Sequence, residues 1–91
     1  MAIAFEITVK GTVQGVYYRA STKEKALEFK LKGWCMNLEN GDVLVHAEGE
    51  RVDLNSLLLW CKVGPPRAQV DSLTYEEVPV KGYSDFSIKR T

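Results

Sequence analysis

The sequence predicts an α+β fold in which two helices cover one face of a mostly antiparallel sheet. An alternating apolar and polar segment begins the chain, two segments of helical period follow at separate places, and an Asn-Gly pair divides two strand-like segments. Alternation with a period of two is typical of a strand with one buried face, and apolar residues three to four positions apart are typical of a helix. The elements are therefore predicted in the order βαββαβ, with a short final strand.

The first strand is predicted over residues 3–10. Its apolar side chains occupy alternate positions: Ile3, Phe5, Ile7 and Val9. Residues 11–16 include Gly11 and Gly15, and glycine adopts backbone angles that other residues resist. A shaped loop is therefore predicted between this strand and the first helix.

The first helix is predicted from Tyr18 to about Leu31, with Gly33 ending it. Its buried stripe is expected to comprise Tyr18, Thr22, Ala26 and Phe29. Ser21 and Glu24 have the spacing of a capping box, in which two side chains satisfy free N–H groups at the start of a helix. That pair would begin the helix slightly later.

Two strands are predicted over residues 34–39 and 42–48, on either side of Asn40-Gly41. This dipeptide is a strong signal for a two-residue hairpin turn, because both residues tolerate positive φ. Alternation in the second arm indicates that one face packs against helices and the other is partly open. His46 falls on the polar side and is predicted to be a solvated surface residue.

A second helix and two further strands complete the predicted order. The apolar stripe of the helix comprises Leu54, Leu57, Leu58 and Cys61. Gly64 and the following Pro65-Pro66 pair stop it. Residues 69–78 and 86–89 have the composition of strands. This order matches the ferredoxin-like, split-βαβ sandwich, a fold that does not by itself define an activity.

Length and charge restrict the classes of function. A chain of 91 residues suffices for one hydrophobic core, so residues 1–91 are predicted to form a single domain. Lys plus Arg and Asp plus Glu each total 12, which gives no overall field favouring nucleic acid or an anionic membrane. The apolar stretch over residues 2–5 is interrupted by Glu6, so no signal peptide or membrane span is expected and the protein is placed in the cytoplasm.

The two cysteines, Cys35 and Cys61, are predicted to be buried and reduced. They lack the paired spacing of a zinc site and the density of a disulfide framework. One disulfide between them is the open alternative.

The loop before the first helix has the features of an anion site. Backbone N–H groups can converge in such a loop, and the N-terminus of a helix adds partial positive charge. Arg19 lies in the first turn of that helix, where a cation is unfavourable unless an anion is close. Its guanidinium can bind two phosphate oxygens at once. From the residues alone, a tight turn followed by a solvated arginine is an equally good interpretation.

Two segments resemble the signatures of the acylphosphatase family. GTVQGVYYR, residues 11–19, is similar to GxVQGVxxR, and GWCMNLENGDVLVHAEG, residues 33–49, is similar to Gx(V/C)xNxxxGxVxxxxxG. They occur in the family's order, and the similarity continues through Gly64-Pro65 to residues 86–88. Tyr18 is a departure, because the family more often has phenylalanine or methionine before the arginine.

The resemblance implies hydrolysis of acyl phosphates, which are mixed anhydrides of a carboxylic acid and phosphoric acid, to a carboxylate and inorganic phosphate. It implies that Arg19 and the loop amides hold the phosphoryl group and that Asn37 orients the attacking water. The phosphate-binding residues would be Gln14, Gly15, Val16, Tyr17, Tyr18 and Arg19. No metal and no cofactor are expected. The expected partners are the acyl phosphate and inorganic phosphate, as product and competitive ligand, for a monomer that binds neither nucleic acid nor membrane.

Other residues give weaker signals. The carboxylate pairs Glu48–Glu50 and Glu76–Glu77 are expected to be solvated. Trp34, Tyr17 and Tyr18 could stack on an acyl group, but simple packing explains them equally well. Asn37 lies in a predicted strand, where asparagine is disfavoured, and alternation does not define which face of the sheet carries it.

Two alternatives to an enzyme share this fold. One is a non-catalytic module that binds an anionic metabolite or partner. The other is an RNA-recognition domain, which stacks bases on aromatic side chains of central strands. Residues 42–48 contain no aromatic side chain and the net charge is zero, so RNA binding is the weaker alternative.

Overall fold

Five strands form one sheet in a computed structural model of the chain, which describes residues 1–90. The strands are β1 (Ile3–Thr12), β2 (Lys32–Asn37), β3 (Val43–Gly49), β4 (Gln69–Val78) and β5 (Phe86–Lys89), and the helices are α1 (Tyr18–Glu28) and α2 (Arg51–Cys61). The order across the sheet is β4-β1-β3-β2-β5. Only the β2–β5 pair is parallel among the pairs formed by these described strands. The predicted α+β, ferredoxin-like sandwich is confirmed.

The hydrophobic core lies between the helices and one face of the sheet. Phe5, Ile7 and Val9 on β1 are buried there, as their alternation predicted. The stripe of α2 is also buried as predicted, and comprises Leu54, Leu57, Leu58 and Cys61. β1 extends past its predicted end at residue 10, because Gly11 and Thr12 continue to pair with β4. Neither helix in residues 1–90 is long and apolar enough to cross a membrane.

The helix α1 ends earlier than predicted. It stops at Glu28, and Lys30 adopts a left-handed conformation with φ of 60°. Gly33 does not end the helix but lies inside β2, where a Cβ atom would collide with the carbonyl oxygen of His46. The capping box of Ser21 and Glu24 is wrong as well, because the helix begins three residues before Ser21.

The connection between β2 and β3 is longer than a two-residue turn. Residues 38–42 separate the strands, the N–H of Gly41 donates to the carbonyl of Leu38 (3.1 Å), and the N–H of Leu38 donates to the carbonyl of Asp42 (2.8 Å). Gly41 has a φ of 98°, whereas Asn40 does not have positive φ. The side-chain oxygen of Asn40 accepts the N–H of Asp42 (3.0 Å). Asparagine therefore stabilises the turn through its side chain, and the predicted two-residue turn is wrong.

His46 is buried, contrary to the prediction of a solvated residue. It is 1% exposed, with Nδ1 3.1 Å from Glu6 Oε2 and Nε2 2.8 Å from Glu48 Oε2. Trp34 stacks on the imidazole at a centroid distance of 5.6 Å, and Tyr83 meets it edge-on at 5.4 Å. This cluster lies on the face of the sheet opposite the helices.

Glu48 is also buried on this face of the sheet, so the prediction that it is solvated is wrong. The connection between β4 and β5 covers it, and its carboxylate accepts the N–H groups of Lys81 (2.6 Å), Gly82 (3.0 Å) and Tyr83 (3.2 Å). Alternation within β3 reports only which face a residue occupies. It does not report that residues 79–85 return across that face. Glu50, Glu76 and Glu77 are exposed, as predicted.

Candidate active site

A cavity of about 350 Å³ opens between the loop after β1, the first turn of α1 and the ends of β2 and β5. Its lining residues are Val13, Gly15, Tyr17, Tyr18, Arg19, Ala20, Asn37, Ile88 and Arg90. The fold thus brings Arg19 and Asn37, which are separated in the sequence, to the same cavity. Among the described lining residues none is acidic, so the charge of the cavity is positive.

The backbone of the loop points donors at this region. Gly15 and Tyr17 have positive φ, at 75° and 64°, on either side of Val16. Alternating backbone conformations of this kind direct successive N–H groups into one concavity. Within residues 1–90, none of the N–H groups of residues 14–20 donates a hydrogen bond to a protein acceptor. The loop and the first turn of α1 therefore present a set of free donors.

The positive φ of Tyr17 is unusual for a residue with a side chain. Tyr17 is also the N-cap of α1, and its side chain makes no capping hydrogen bond. Tyr17 is 76% exposed, and it lines the cavity. Such a conformation costs on the order of 1 kcal/mol and is found most often at functional sites.

Gln14 connects the loop to the β2–β3 connection. Its side-chain amide donates to the carbonyl oxygens of Leu38 and Asp42, both at 2.8 Å. Gln14 and Val16 do not line the cavity. Of the predicted phosphate-binding residues, these two can therefore contribute only through their backbone N–H groups or through loop geometry.

Arg19 is half-buried at the start of α1, and within the described part of the chain no carboxylate pairs with its guanidinium. Its carbonyl oxygen accepts a hydrogen bond from Cys35 Sγ at 3.6 Å. Burial raises the pKa of the Cys35 thiol to about 12, despite the opposing charges of Arg19 and Lys23. The thiol is therefore protonated at neutral pH, and it links the first turn of α1 to β2.

Asn37 is the last residue of β2 and pairs with Val43. It lies two residues after Cys35 and so on the same, helix-covered face of the sheet. Its Oδ1 atom is buried and has no hydrogen-bond partner among residues 1–90. A buried acceptor without a partner costs about 1–3 kcal/mol, and such groups are rare in native proteins. A ligand in the cavity can supply the missing donor.

Residues 5–88 match the sequence model of the acylphosphatase family. The chain belongs to this family. An acylphosphatase of Marinobacter nauticus is 48% identical over 83 residues, which cover 90% of this chain and 90% of the relative. One of Coxiella burnetii is 46% identical over 83 residues, covering 91% of this chain and 87% of the relative. The predicted activity, hydrolysis of acyl phosphates, is confirmed.

The fold of a solved acylphosphatase agrees with this assignment. The structure of an acylphosphatase from Coxiella burnetii superimposes with a TM-score of 0.94 at 43% identity, over 97% of this chain and 93% of that chain. The fold alone would also suit a non-catalytic module or an RNA-recognition domain, but the family match and the named relatives confirm the predicted enzyme.

The hydroxyl of Tyr18, where the chain departs from the acylphosphatase signature, points away from the cavity. It donates to the carbonyl of Cys61 at 2.7 Å, and the ring packs against Trp60 at a centroid distance of 5.6 Å. Burial, followed by the nearby Cys61 and Cys35, raises the pKa of Tyr18, so the phenol stays neutral. Trp34 does not line the cavity, because it lies on the other face of the sheet against His46.

Arg90 was not predicted from the sequence. It follows β5 directly and brings a second guanidinium to the cavity, alongside the apolar side chain of Ile88. The alternation of Phe86 and Ile88 carries the only signal for it, because continuing that period places residue 90 on the same face. Elsewhere, His, Cys, Asp and Glu side chains of residues 1–90 form no group of three that could hold a metal ion.

Proposed function

We propose that Arg19 and the loop amides hold the phosphoryl group of an acyl phosphate while Asn37 orients the water that attacks phosphorus. The observation that carries this proposal is the buried, unpartnered Oδ1 of Asn37, in the same cavity as Arg19. A water molecule is the simplest donor for that oxygen. The carboxamide does not titrate near neutral pH, so it can hold the water in one orientation across a wide pH range.

The N–H donors of the loop suit the binding of the phosphoryl group. The N–H groups of residues 14–20 and the N-terminus of α1 favour an anion by about 0.3–1 kcal/mol through the helix dipole alone. The guanidinium of Arg19 adds a full charge and two hydrogen-bond donors. Together they would neutralise the charge on the phosphoryl oxygens, which is the principal requirement of phosphoryl transfer.

The chemistry needs no general acid. A water oxygen forms a bond to phosphorus, the bond between phosphorus and the acyl oxygen breaks, and its electron pair leaves on the carboxylate. The conjugate acid of that leaving group has a pKa of roughly 4, so it departs unprotonated. The proton of the water passes to a phosphoryl oxygen of the substrate. Alignment and charge stabilisation then supply the catalysis.

Two variants separate the proposed roles. Asn37→Ala should lower kcat for benzoyl phosphate by on the order of 10²–10³, the usual loss for one preorganised polar group, while competitive inhibition by phosphate is retained. Arg19→Gln should weaken both turnover and phosphate inhibition, because the guanidinium contacts the anion before and during the reaction. Initial rates at several phosphate concentrations measure both quantities.

Matched controls are available outside the cavity. Asn55→Ala on α2 and Arg67→Gln after it alter exposed residues of the same types, and both should hydrolyse benzoyl phosphate at the parent rate. If Asn37→Ala hydrolyses benzoyl phosphate at the parent rate, Asn37 does not orient the water. If phosphate inhibits Arg19→Gln as strongly as the parent enzyme, Arg19 does not hold the phosphoryl group.

We further propose a single-domain monomer working in the cytoplasm. One cluster of buried residues includes side chains from β1, α1, β2, β3, α2 and β5, which supports one domain. Cys35 and Cys61 are free and buried, as in proteins of reducing compartments. A sedimentation mass of one chain that does not change with concentration would support the monomer, and a mass of two chains would contradict it.

A further inference from the structure

Arg90 lines the cavity, but the proposed hydrolysis does not use it. In the parallel pairing of β5 with β2, Ile88 lies opposite Cys35 and Lys89 lies opposite Met36. Side chains alternate along a strand, so Arg90 shares the helix-covered face with Ile88. Lys89 lies on the other face, with Nζ 4.4 Å from the ring centroid of Trp34. Adjacent cations therefore lie on opposite sides of the sheet, and one of them faces the cavity.

The cavity is larger than the phosphoryl group needs. Its volume of about 350 Å³ equals that of roughly twelve water molecules at liquid density, and a phosphorus with three oxygens fills less than half of it. The remaining space must receive the acyl part of the substrate. Tyr17, which is exposed and lines the cavity, offers an aromatic surface to carbon atoms there.

The cavity also has more positive charge than the phosphoryl group needs. The phosphoryl group is already provided with Arg19, the free N–H groups of residues 14–20 and the N-terminus of α1. Arg90 adds a cation from the opposite, C-terminal end of the chain, and the part of the cavity wall formed by described residues contains no carboxylate to neutralise it. A guanidinium binds a carboxylate or a phosphate in bidentate fashion.

We propose that Arg90 binds a second anionic group on the acyl part of the substrate, so that the enzyme favours acyl phosphates of acids that carry a further carboxylate or phosphate. This inference rests on the proposed function, because it requires the phosphoryl group to occupy the Arg19 side of the cavity. Arg90 is then a specificity-determining residue, and the hydrolysis itself does not depend on it.

The test compares two substrates with the same scissile anhydride. Succinyl phosphate ends in a carboxylate, and butyryl phosphate has a methyl group in its place. The wild-type enzyme should show a kcat/KM about fivefold higher for succinyl phosphate, as one partly exposed ion pair provides. Arg90→Gln should remove this preference, because its kcat/KM should fall further for succinyl phosphate than for butyryl phosphate. Arg90→Lys should retain part of the preference.

Lys89→Gln is the matched control, because it removes the same charge from the neighbouring residue on the opposite face of the sheet. It should keep the full preference, which rules out an effect of overall charge. The preference of the wild-type enzyme should also shrink as salt is added, since the pair is exposed to solvent. Thermal unfolding of each variant verifies that it is folded.

Three results would overturn the inference. The first is a wild-type enzyme that treats the two substrates alike. The second is an equal loss for both substrates in Arg90→Gln, which would place Arg90 on the phosphoryl group. The third is a preference that Lys89→Gln removes as well. In each of these cases hydrolysis of butyryl phosphate by the wild-type enzyme leaves the proposed function intact, whereas failure to hydrolyse either substrate would overturn both.

Discussion

Tyr18 has a structural partner that its position in the signature does not suggest. Its hydroxyl donates to the carbonyl of Cys61, the last residue of α2. The last four carbonyl oxygens of a helix have no N–H donor within the helix, so they need a donor from elsewhere. The tyrosine hydroxyl supplies one of these donors, and it joins the start of α1 to the end of α2.

Tyr18→Phe should lower the free energy of unfolding by about 1–3 kcal/mol, because it leaves a buried carbonyl without a donor. Turnover should stay at the parent value, since the hydroxyl is directed away from the cavity. Urea denaturation and benzoyl phosphate assays measure the two effects. Tyr75→Phe, at a residue that is 53% exposed, is the control and should change neither. A loss of turnover without a loss of stability would place the hydroxyl in the catalytic cavity.

The residues of the candidate site differ in how far the sequence could predict them. Asn37 and Arg19 were predicted from the resemblance of two motifs, and alternation alone could not assign Asn37 to a face. The pairing of Asn37 with Val43 and its spacing from Cys35 decide that face. Arg90 was missed because its place in the cavity depends on the parallel pairing of β5 with β2, a contact between distant parts of the chain.

At the level of elements, β5 depends on the connection before it. The strand has four residues and lies at the edge of the sheet. The N–H of Gly33 donates to the carbonyl of Asp85 (2.8 Å), and Glu48 accepts the N–H groups of residues 81–83. Glu48 therefore fixes the chain just before the strand that carries Ile88 and leads to Arg90.

Glu48→Gln should lower the free energy of unfolding by about 1–3 kcal/mol, because an amide NH₂ would replace an oxygen that accepts backbone N–H groups. Hydrogen exchange at the amides of residues 81–83 should also become faster, as measured by mass spectrometry. Glu50→Gln is the control, since Glu50 is exposed and its ion pair with the N-terminus is worth little. Unchanged exchange at residues 81–83 would contradict this role of Glu48.

The elements themselves were predicted unevenly. The bounds of β4 and β5 agree with the prediction, because composition and alternation are local signals. The end of α1 and the turn after β2 were wrong because backbone conformation decided them: Lys30 is left-handed, and only Gly41 of the Asn-Gly pair has positive φ. The burial of His46 and Glu48 was missed because it depends on residues 79–85 folding back over β3.

At the scale of the whole molecule, Glu48 makes stability depend on acid. Burial acts to raise the pKa of its carboxyl group, but the hydrogen bonds from His46 and from the amides of Lys81, Tyr83 and Gly82 outweigh burial and lower it. A carboxyl group whose pKa is lower in the folded than in the unfolded state stabilises the fold at pH values above its unfolded-state pKa. That stabilisation is lost as the pH falls through the pKa of the group in the folded state.

The difference in free energy of unfolding between the wild-type protein and Glu48→Gln should therefore narrow on acidification. The difference should have its full size near pH 6. It should begin to shrink around the pKa of about 4.3 that a glutamate has in the unfolded chain, and it should continue to shrink at lower pH. Urea denaturation at pH 6 and pH 3 measures it, with Glu50→Gln as the exposed control. A difference of equal size at both pH values would show that the charge of Glu48 is not what stabilises the fold.

The β2–β5 pairing also has a consequence for synthesis of the enzyme. Residues 86–90 leave the ribosome after every other residue of the cavity, and β5 adds to the sheet beside β2, which is made much earlier. A nascent chain still short of these residues lacks one wall of the cavity and one of its cations. The complete cavity therefore forms only after residues 86–90 have been synthesised.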